Sequence, residues 1–139
     1  MSEVTNRRRA REVALQVLFQ KEFVPDIDFS TSLAYFRDRL EIPKESCDYA
    51  QHLLNGIEKH SIEIDKHISE KSRNWKISRI APVDLCLLRL GVFELCFGDN
   101  EVPPKVVIDE AIEIAKRYGG TETPNFINGI LDEIWRAKT

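Results

Sequence analysis

The chain has 139 residues, enough for one domain of ordinary size or two small subdomains, and its 42% apolar and 31% charged residues exclude a disordered protein. Its formal net charge is only −3, so any strongly charged segment stands out against a nearly balanced background. No apolar run approaches the roughly 18 residues that span a bilayer, and the charged N-terminus is unlike a signal peptide, so we expect a soluble cytoplasmic protein with no membrane partner.

Every well-patterned segment has the helical period, so we predict an all-α fold. The first helix is expected to run from Thr5, as its N-cap, to about Glu22, before a break at Pro25. Its apolar residues are spaced for one buried face: Ala10, Val13, Ala14, Val17 and Leu18. The helix is therefore expected to be amphipathic, with its opening turns outside the apolar pattern.

Those opening turns contain four arginines in five positions: Arg7, Arg8, Arg9 and Arg11. The positive end of the helix dipole disfavours each charge by about 0.3–1 kcal/mol, so helix stability does not explain the cluster. Guanidinium groups form bidentate hydrogen bonds with phosphate oxygens, and free N–H groups at a helix start attract the same anions. The cluster favours a nucleic-acid contact over the alternative of a solvated basic terminus.

Two further helices are predicted in the N-terminal half. The second follows Asp28 and has one narrow apolar stripe, made of Phe29, Leu33, Phe36 and Leu40. The third is predicted as one long helix from about Lys44 to Lys71. We divide the single domain, residues 1–139, near its middle, into an N-terminal helical subdomain of about residues 1–72 and a C-terminal one of about residues 73–139.

The connector between these two subdomains is basic and contains Trp75. A tryptophan ring in such a segment can stack on a nucleic-acid base. A ring that fills the gap between two subdomains is the other interpretation, and we favour this structural role.

Three helices are predicted in the C-terminal half. The first begins at Pro82 and is apolar nearly all round, so we expect it at the centre of a bundle. The second begins at Pro103-Pro104 and stops at Gly119-Gly120. The last begins with Thr123 as N-cap and Pro124 in the first helical position.

Side chains that bind metals or carry out catalysis are poorly placed for either task. His60 and His67 fall on one face of the predicted third helix, but about 10.5 Å apart along its axis, too far to share a metal. The cysteines lack C-x-x-C spacing and lie in apolar helical patterns, so we predict free buried thiols at Cys47, Cys86 and Cys96. No P-loop or G-x-G-x-x-G pattern is present. We expect neither an enzyme nor a bound metal or cofactor.

Several short motifs follow one another along nearly the whole chain. The first is Arg7-Arg8-Arg9-Ala10-Arg11-Glu12, and the central one runs from Asn74-Trp75 through residues 79–84 to Leu88-Arg89-Leu90. The others are Phe93-Glu94-Leu95, Val102-Pro103, Ile108-Asp109-Glu110-Ala111, the stretch 115–120 and the stretch 126–132. In this order and spacing they resemble the NusB family of bacterial transcription antitermination factors.

The resemblance implies an all-α NusB-like fold of about seven helices in two small packed bundles, without catalytic activity. It also implies that the protein binds the boxA element of nascent ribosomal RNA transcripts together with NusE, a ribosomal protein of the small subunit. With other Nus factors, such a complex modifies RNA polymerase against premature termination.

Site residues also follow from the resemblance. The arginine-rich RNA contact would consist of Arg7, Arg8, Arg9 and Arg11. Glu122, Asn125 and Phe126 would adjoin the same RNA, while Phe19 and Glu94 match positions on the NusE-facing side. Many family members have a basic residue just before the phenylalanine, where this chain has the uncharged Asn125. RNA affinity along this edge is therefore expected to be weaker, or shared differently with the partner.

Two other functions remain open at this point. The same fold occurs as the RNA-binding domain of a ribosomal RNA cytosine methyltransferase, of which this chain would then be a fragment. The chain could also be a plain helical interaction module, for instance a homodimer, whose arginines serve only solubility. Salt-dependent RNA binding distinguishes the NusB function from such a module, because each phosphate contact on a single strand adds about 0.7 to the log–log salt slope.

Overall fold

Seven α-helices make up most of the computed structural model, which describes residues 3–73, 76–98 and 102–138. These ranges contain no β-strand, and the all-α prediction is confirmed. The helices are α1 (Glu3–Phe23), α2 (Phe29–Leu40), α3 (Lys44–Lys59), α4 (Ser61–Lys71), α5 (Pro82–Val92), α6 (Pro104–Tyr118) and α7 (Thr123–Lys138). A 3-10 turn (Ile77–Arg79) precedes α5 and a π-helical turn (Phe93–Phe97) follows it. Trp75, with its predicted structural role, lies outside the described residues.

The chain divides into two compact units, Met1–Gly56 and Ile57–Thr139. The division falls inside α3, and the subdomains of about residues 1–72 and 73–139 stay a prediction. Helix α4 packs against α5 and α7, so it belongs to the second unit and not to the first. The treatment of the whole chain as one domain stays a prediction.

The first unit is built on the apolar face of α1. All five residues predicted for this face are buried: Ala10, Val13, Ala14, Val17 and Leu18. The helix begins at Glu3, so the prediction of Thr5 as its N-cap is wrong. Helix α2 packs against α1 and begins after Asp28, whose carboxylate accepts a hydrogen bond of 2.8 Å from the backbone N–H of Thr31. Its apolar stripe is buried at the start of the helix, while Leu40 at the end is exposed.

The predicted third helix is interrupted at His60, which separates α3 from α4. His60 has φ −108° and ψ 20°, outside the helical region, and its ring stacks on Phe97 with 4.3 Å between centroids. The single-helix prediction failed because the buried residues Ile57, Ile64 and Ile68 keep helical spacing across the interruption. Apolar periodicity therefore cannot detect this break.

The second unit is organised around α5, as its all-round apolar pattern predicts. Its residues from Leu85 to Leu88 are at most 6% exposed, and it packs against α4, α6 and α7. A Cβ atom at Gly91 would lie 2.7 Å from Cδ1 of Leu131, so a larger residue there would require the Leu131 side chain on α7 to shift. The guanidinium of Arg89 on α5 forms two hydrogen bonds of 3.0 Å with the carboxylate of Asp65 on α4.

Candidate nucleic-acid interface

Burial divides the arginine cluster at the start of α1 into two parts. Arg7, Arg8 and Arg9 are half-buried, so part of each side chain reaches solvent. Arg11 is only 4% exposed. A phosphate could meet the first three side chains as they stand, whereas the RNA contact predicted for Arg11 requires that side chain to move.

Two side chains of α3 hold the opening turns of α1 in place. The buried hydroxyl of Ser46 donates a hydrogen bond of 2.9 Å to the backbone carbonyl oxygen of Asn6. The centroid of the Tyr49 ring lies 4.9 Å from the guanidinium carbon of Arg7 and 5.8 Å from that of Arg11, within cation–π distance. These contacts restrict the arginines before a ligand binds, which lowers the entropy lost on binding.

A carboxylate inside the cluster offsets part of the repulsion among its cations. Oε1 of Glu12 lies 3.9 Å from Nη1 of Arg9, and the side chain of Glu12 is only 4% exposed. Because the acid is buried while the arginines reach solvent, the accessible side of the cluster keeps its positive character.

The second unit contains an open cleft of about 720 Å³ where the start of α5 meets the start of α7. Three of the predicted RNA-adjacent residues, Glu122, Asn125 and Phe126, line it together. The remaining lining residues are Arg79, Ile80, Ala81, Asp84, Gly120, Thr121 and Thr123. Sequence reasoning grouped residues 122–126 but did not connect them with Arg79 or Asp84, which are about forty positions away in the chain.

Hydrogen bonds through Thr123 fix the shape of this cleft. Its hydroxyl donates to Oδ1 of Asp84 at 2.9 Å and accepts from the backbone N–H of Gly120 at 3.0 Å. Helix α7 begins at Thr123 itself, so its predicted role as N-cap is wrong: the hydroxyl binds the preceding loop and α5 instead. A Cβ atom at Gly119 would lie 2.6 Å from Cβ of Thr123, so the helix-stopping glycine also permits this close contact.

The chemistry of the cleft suits a ligand with an apolar ring and a single negative charge. Phe126 presents a half-buried ring, and Asn125 is an exposed amide that can both donate and accept hydrogen bonds. Arg79 supplies the positive charge among the lining residues, against the carboxylates of Asp84 and Glu122.

The two residues predicted to face NusE differ in accessibility. Phe19 is 37% exposed and contacts the more exposed ring of Phe23 edge to face, with 4.9 Å between centroids. Together with Val24, they form an apolar patch at the end of α1 that the sequence analysis did not identify. The four-residue separation of Phe19 and Phe23, which places both rings on one side of a helix, was the sequence signal for this patch. Glu94 lies in the π-helical turn and is only 8% exposed.

The described ranges contain no group of three His, Cys, Asp or Glu side chains arranged to hold a metal ion. His60 and His67 both contact the ring of Phe97, with centroid distances of 4.3 Å and 6.2 Å. The cysteines are free: Cys86 is buried, as predicted, while Cys47 and Cys96 are half-buried. Burial raises the pKa of both half-buried thiols, which keeps them protonated at neutral pH.

Comparison with known proteins identifies the class of protein to which this chain belongs, namely transcription antitermination proteins. The model of the NusB family matches residues 8–136. The transcription antitermination protein NusB of Bdellovibrio bacteriovorus is 40% identical over 97% of this chain and 98% of its own length. The same protein from Geotalea uraniireducens is 43% identical over 94% of each chain. These relatives are transcription antitermination proteins, which are not enzymes.

Solved structures agree with this class. NusB of T. maritima is 40% identical, with a TM-score of 0.86 over 94% of this chain and 90% of its own. A structure of the antitermination factors NusB and NusE in complex with dsRNA is 28% identical, with a TM-score of 0.84 over 96% of this chain and 98% of the matched one. The chain belongs to the NusB family. None of the helices in its described residues has the length and apolar character of a membrane span.

Proposed function

We propose that this protein binds boxA RNA of nascent ribosomal RNA transcripts together with NusE, in the cytoplasm, and so helps RNA polymerase to pass termination signals. The observation that carries the proposal is the arginine cluster of α1, whose first three members reach solvent from a helix start. A family relative of similar fold has been solved with NusE and dsRNA, which supports RNA and NusE as the partners.

The arginine cluster serves as a positioning contact for the RNA backbone. Arg7, Arg8 and Arg9 lie in the second turn of α1 and offer forked donors to phosphate oxygens. Such contacts carry no sequence information, so the cluster sets affinity and register. Base reading falls to other groups, of which Glu122, Asn125 and Phe126 are the candidates.

The exposed apolar patch of Phe19, Phe23 and Val24 is a surface of the first unit that suits a protein partner. We assign it to NusE, in keeping with the family position of Phe19. Glu94 is nearly buried, so we assign it a supporting role in the π-helical turn, a type of irregularity that is frequent at functional sites.

The test is fluorescence anisotropy of a labelled single-stranded boxA RNA, with and without NusE, over a range of salt concentrations. The variant Arg7/Arg8/Arg9→Ala removes three candidate phosphate contacts and is expected to weaken binding and flatten the log–log salt slope by about 2. The matched control is Arg37/Arg39/Lys44→Ala, which removes the same charge from exposed positions of the same unit and should leave the slope unchanged.

Equal loss of binding in both variants would reduce the cluster to a general charge effect and refute the proposal. Arg11→Ala is tested separately, with circular dichroism beside the binding measurement, because a 4% exposed arginine contributes to the fold as well. Self-association remains a prediction, and sedimentation equilibrium of the free protein tests it.

A further inference from the structure

We infer that Arg79 is a phosphate-binding residue of the cleft, where it supplies the positive charge that position 125 lacks. The inference rests on the proposed RNA function and extends it to a residue for which the sequence analysis assigned no role. Its ligand is one phosphodiester group of the RNA chain, next to a base that lies against the ring of Phe126.

The position of Arg79 is fixed by the 3-10 turn that contains it. The backbone N–H of Arg79 donates to the carbonyl oxygen of Lys76 at 2.8 Å, and that of Ile80 donates to Ile77 at 3.1 Å. Ile80 is 7% exposed and anchors the end of the turn, whereas Arg79 itself is exposed. The backbone is thus held while the side chain stays available at the edge of the cleft.

The guanidinium of Arg79 is available for a ligand as far as the described residues are concerned. Within the described part of the chain it forms no ion pair and no side-chain hydrogen bond, although two carboxylates line the same cleft. The carboxylate of Asp84 accepts a hydrogen bond from the hydroxyl of Thr123. Arg89, by contrast, is paired with the carboxylate of Asp65. Among the described residues, Arg79 is therefore a forked donor that no acceptor occupies, in a cleft that an aromatic ring and an amide also line.

Charge decides which anion fits. The lining residues carry one positive charge on Arg79 and two negative charges on Asp84 and Glu122. A free phosphate or a nucleoside triphosphate carries more negative charge at neutral pH than a phosphodiester does, and the carboxylates repel that extra charge. A phosphodiester brings one negative charge, and its attached base gains from stacking on Phe126 and from hydrogen bonds with Asn125. A nucleotide within an RNA strand satisfies each of these groups.

The experiment measures anisotropy of the labelled boxA RNA with Arg79→Ala, Arg79→Lys and a control, Arg136→Ala. Arg136 is an exposed arginine paired with Asp132, about 15 Å along α7 from Phe126, the nearest residue of that helix in the cleft. Arg79→Ala should weaken binding roughly tenfold, as for one charge-assisted hydrogen-bonded contact, and flatten the salt slope by about 0.7. Arg79→Lys should recover the slope but only part of the affinity, because lysine lacks the fork.

A set of RNAs, each with one neutral methylphosphonate linkage, then locates the phosphate. At the linkage that Arg79 binds, wild type and Arg79→Ala should have the same affinity, while every other linkage preserves the difference between them. Inorganic phosphate and ATP, added as competitors, should not displace the RNA from the cleft at concentrations that leave the ionic strength unchanged.

The outcomes separate the two proposals. If Arg79→Ala binds as wild type while Arg7/Arg8/Arg9→Ala loses affinity, the role of Arg79 is refuted and the RNA function stands. If Arg79→Ala and Arg136→Ala weaken binding equally, or no linkage removes the difference, the contact is nonspecific and the inference is refuted. If wild type binds no RNA with or without NusE, both proposals fall.

Discussion

Replacing Thr123 by valine tests the hydrogen bonds that shape the cleft, because valine has nearly the size of threonine and carries a methyl group in place of the hydroxyl. Thr123 is 4% exposed, and its hydroxyl bonds Asp84 at 2.9 Å and the N–H of Gly120 at 3.0 Å. A hydrogen bond to a charged group contributes about 1.5–3 kcal/mol and a neutral one about 0.5–1.5 kcal/mol. Asp84 is half-buried and Gly120 is exposed, so water partly replaces both bonds and the low end applies. The expected loss of unfolding free energy is about 2 kcal/mol.

Urea denaturation followed by circular dichroism gives this free energy. The control is Thr121→Val, the same chemical change at an exposed position two residues earlier, which should stay within about 0.5 kcal/mol of wild type. A cycle with Asp84→Asn then isolates the charged bond, since the effect of Thr123→Val should shrink once the acceptor is neutral. Equal stability of the two valine variants, or no coupling with Asp84, would refute the structural role of this hydroxyl. The same variant should weaken RNA binding, because the start of α7, which carries Asn125, loses its tie to Asp84 of α5.

Three further predictions concern the fold. Ile64 is fully buried in α4, whereas Ile62 on the same helix is 82% exposed. In urea denaturation, Ile64→Ala should therefore lower the unfolding free energy by about 2–5 kcal/mol, and Ile62→Ala should change it by less than about 0.5 kcal/mol. Similar losses in the two variants would contradict the packing of α4. The hydrogen bond from the backbone N–H of Thr31 lowers the pKa of Asp28. The stabilisation of the folded protein by the Asp28 carboxylate is therefore present above the ordinary pKa of about 4 and is lost as pH falls through the lowered pKa. The urea midpoints of wild type and Asp28→Asn should therefore differ near neutral pH and converge in acid, and a constant difference would exclude this linkage. Burial raises the pKa of the half-buried Cys96 thiol, so its reaction with a disulfide reagent at neutral pH should be slower than that of glutathione. Cys86 is fully buried and should react only on unfolding. Rapid labelling of either residue in the native protein would contradict these environments.

Helix position and buried faces could be derived from the sequence because they depend on local spacing. The face of α1 from Ala10 to Leu18 and the central position of α5 both follow from which side of a helix is apolar. Burial of apolar area is the dominant favourable term in folding, so this pattern survives whatever the tertiary arrangement. The motifs that resemble the NusB family are likewise local, and the family assignment is confirmed.

Backbone interruptions were harder to derive, since an apolar pattern can continue across them. The break at His60 keeps Ile57 and Ile64 on one buried face, and stacking with Phe97 accompanies it. The start of α7 was also predicted incorrectly from local sequence. The Thr123 hydroxyl, which was expected to cap the helix, donates its hydrogen bond to the carboxylate of Asp84, which is distant in the sequence.

Local sequence patterns were enough to predict most of the helices, their buried faces and a concentrated cationic site near the start of α1. Which arginines are accessible depended on tertiary packing: Arg11 is buried beside Tyr49, whereas Arg7 reaches solvent from the same helix. Only the tertiary structure brought Arg79 into one cleft with Phe126. The physical reason is the sequence separation of the residues involved. Helical periodicity depends on neighbours within a few positions, whereas a cleft depends on how the N-terminal ends of helices that are distant in the sequence pack against each other.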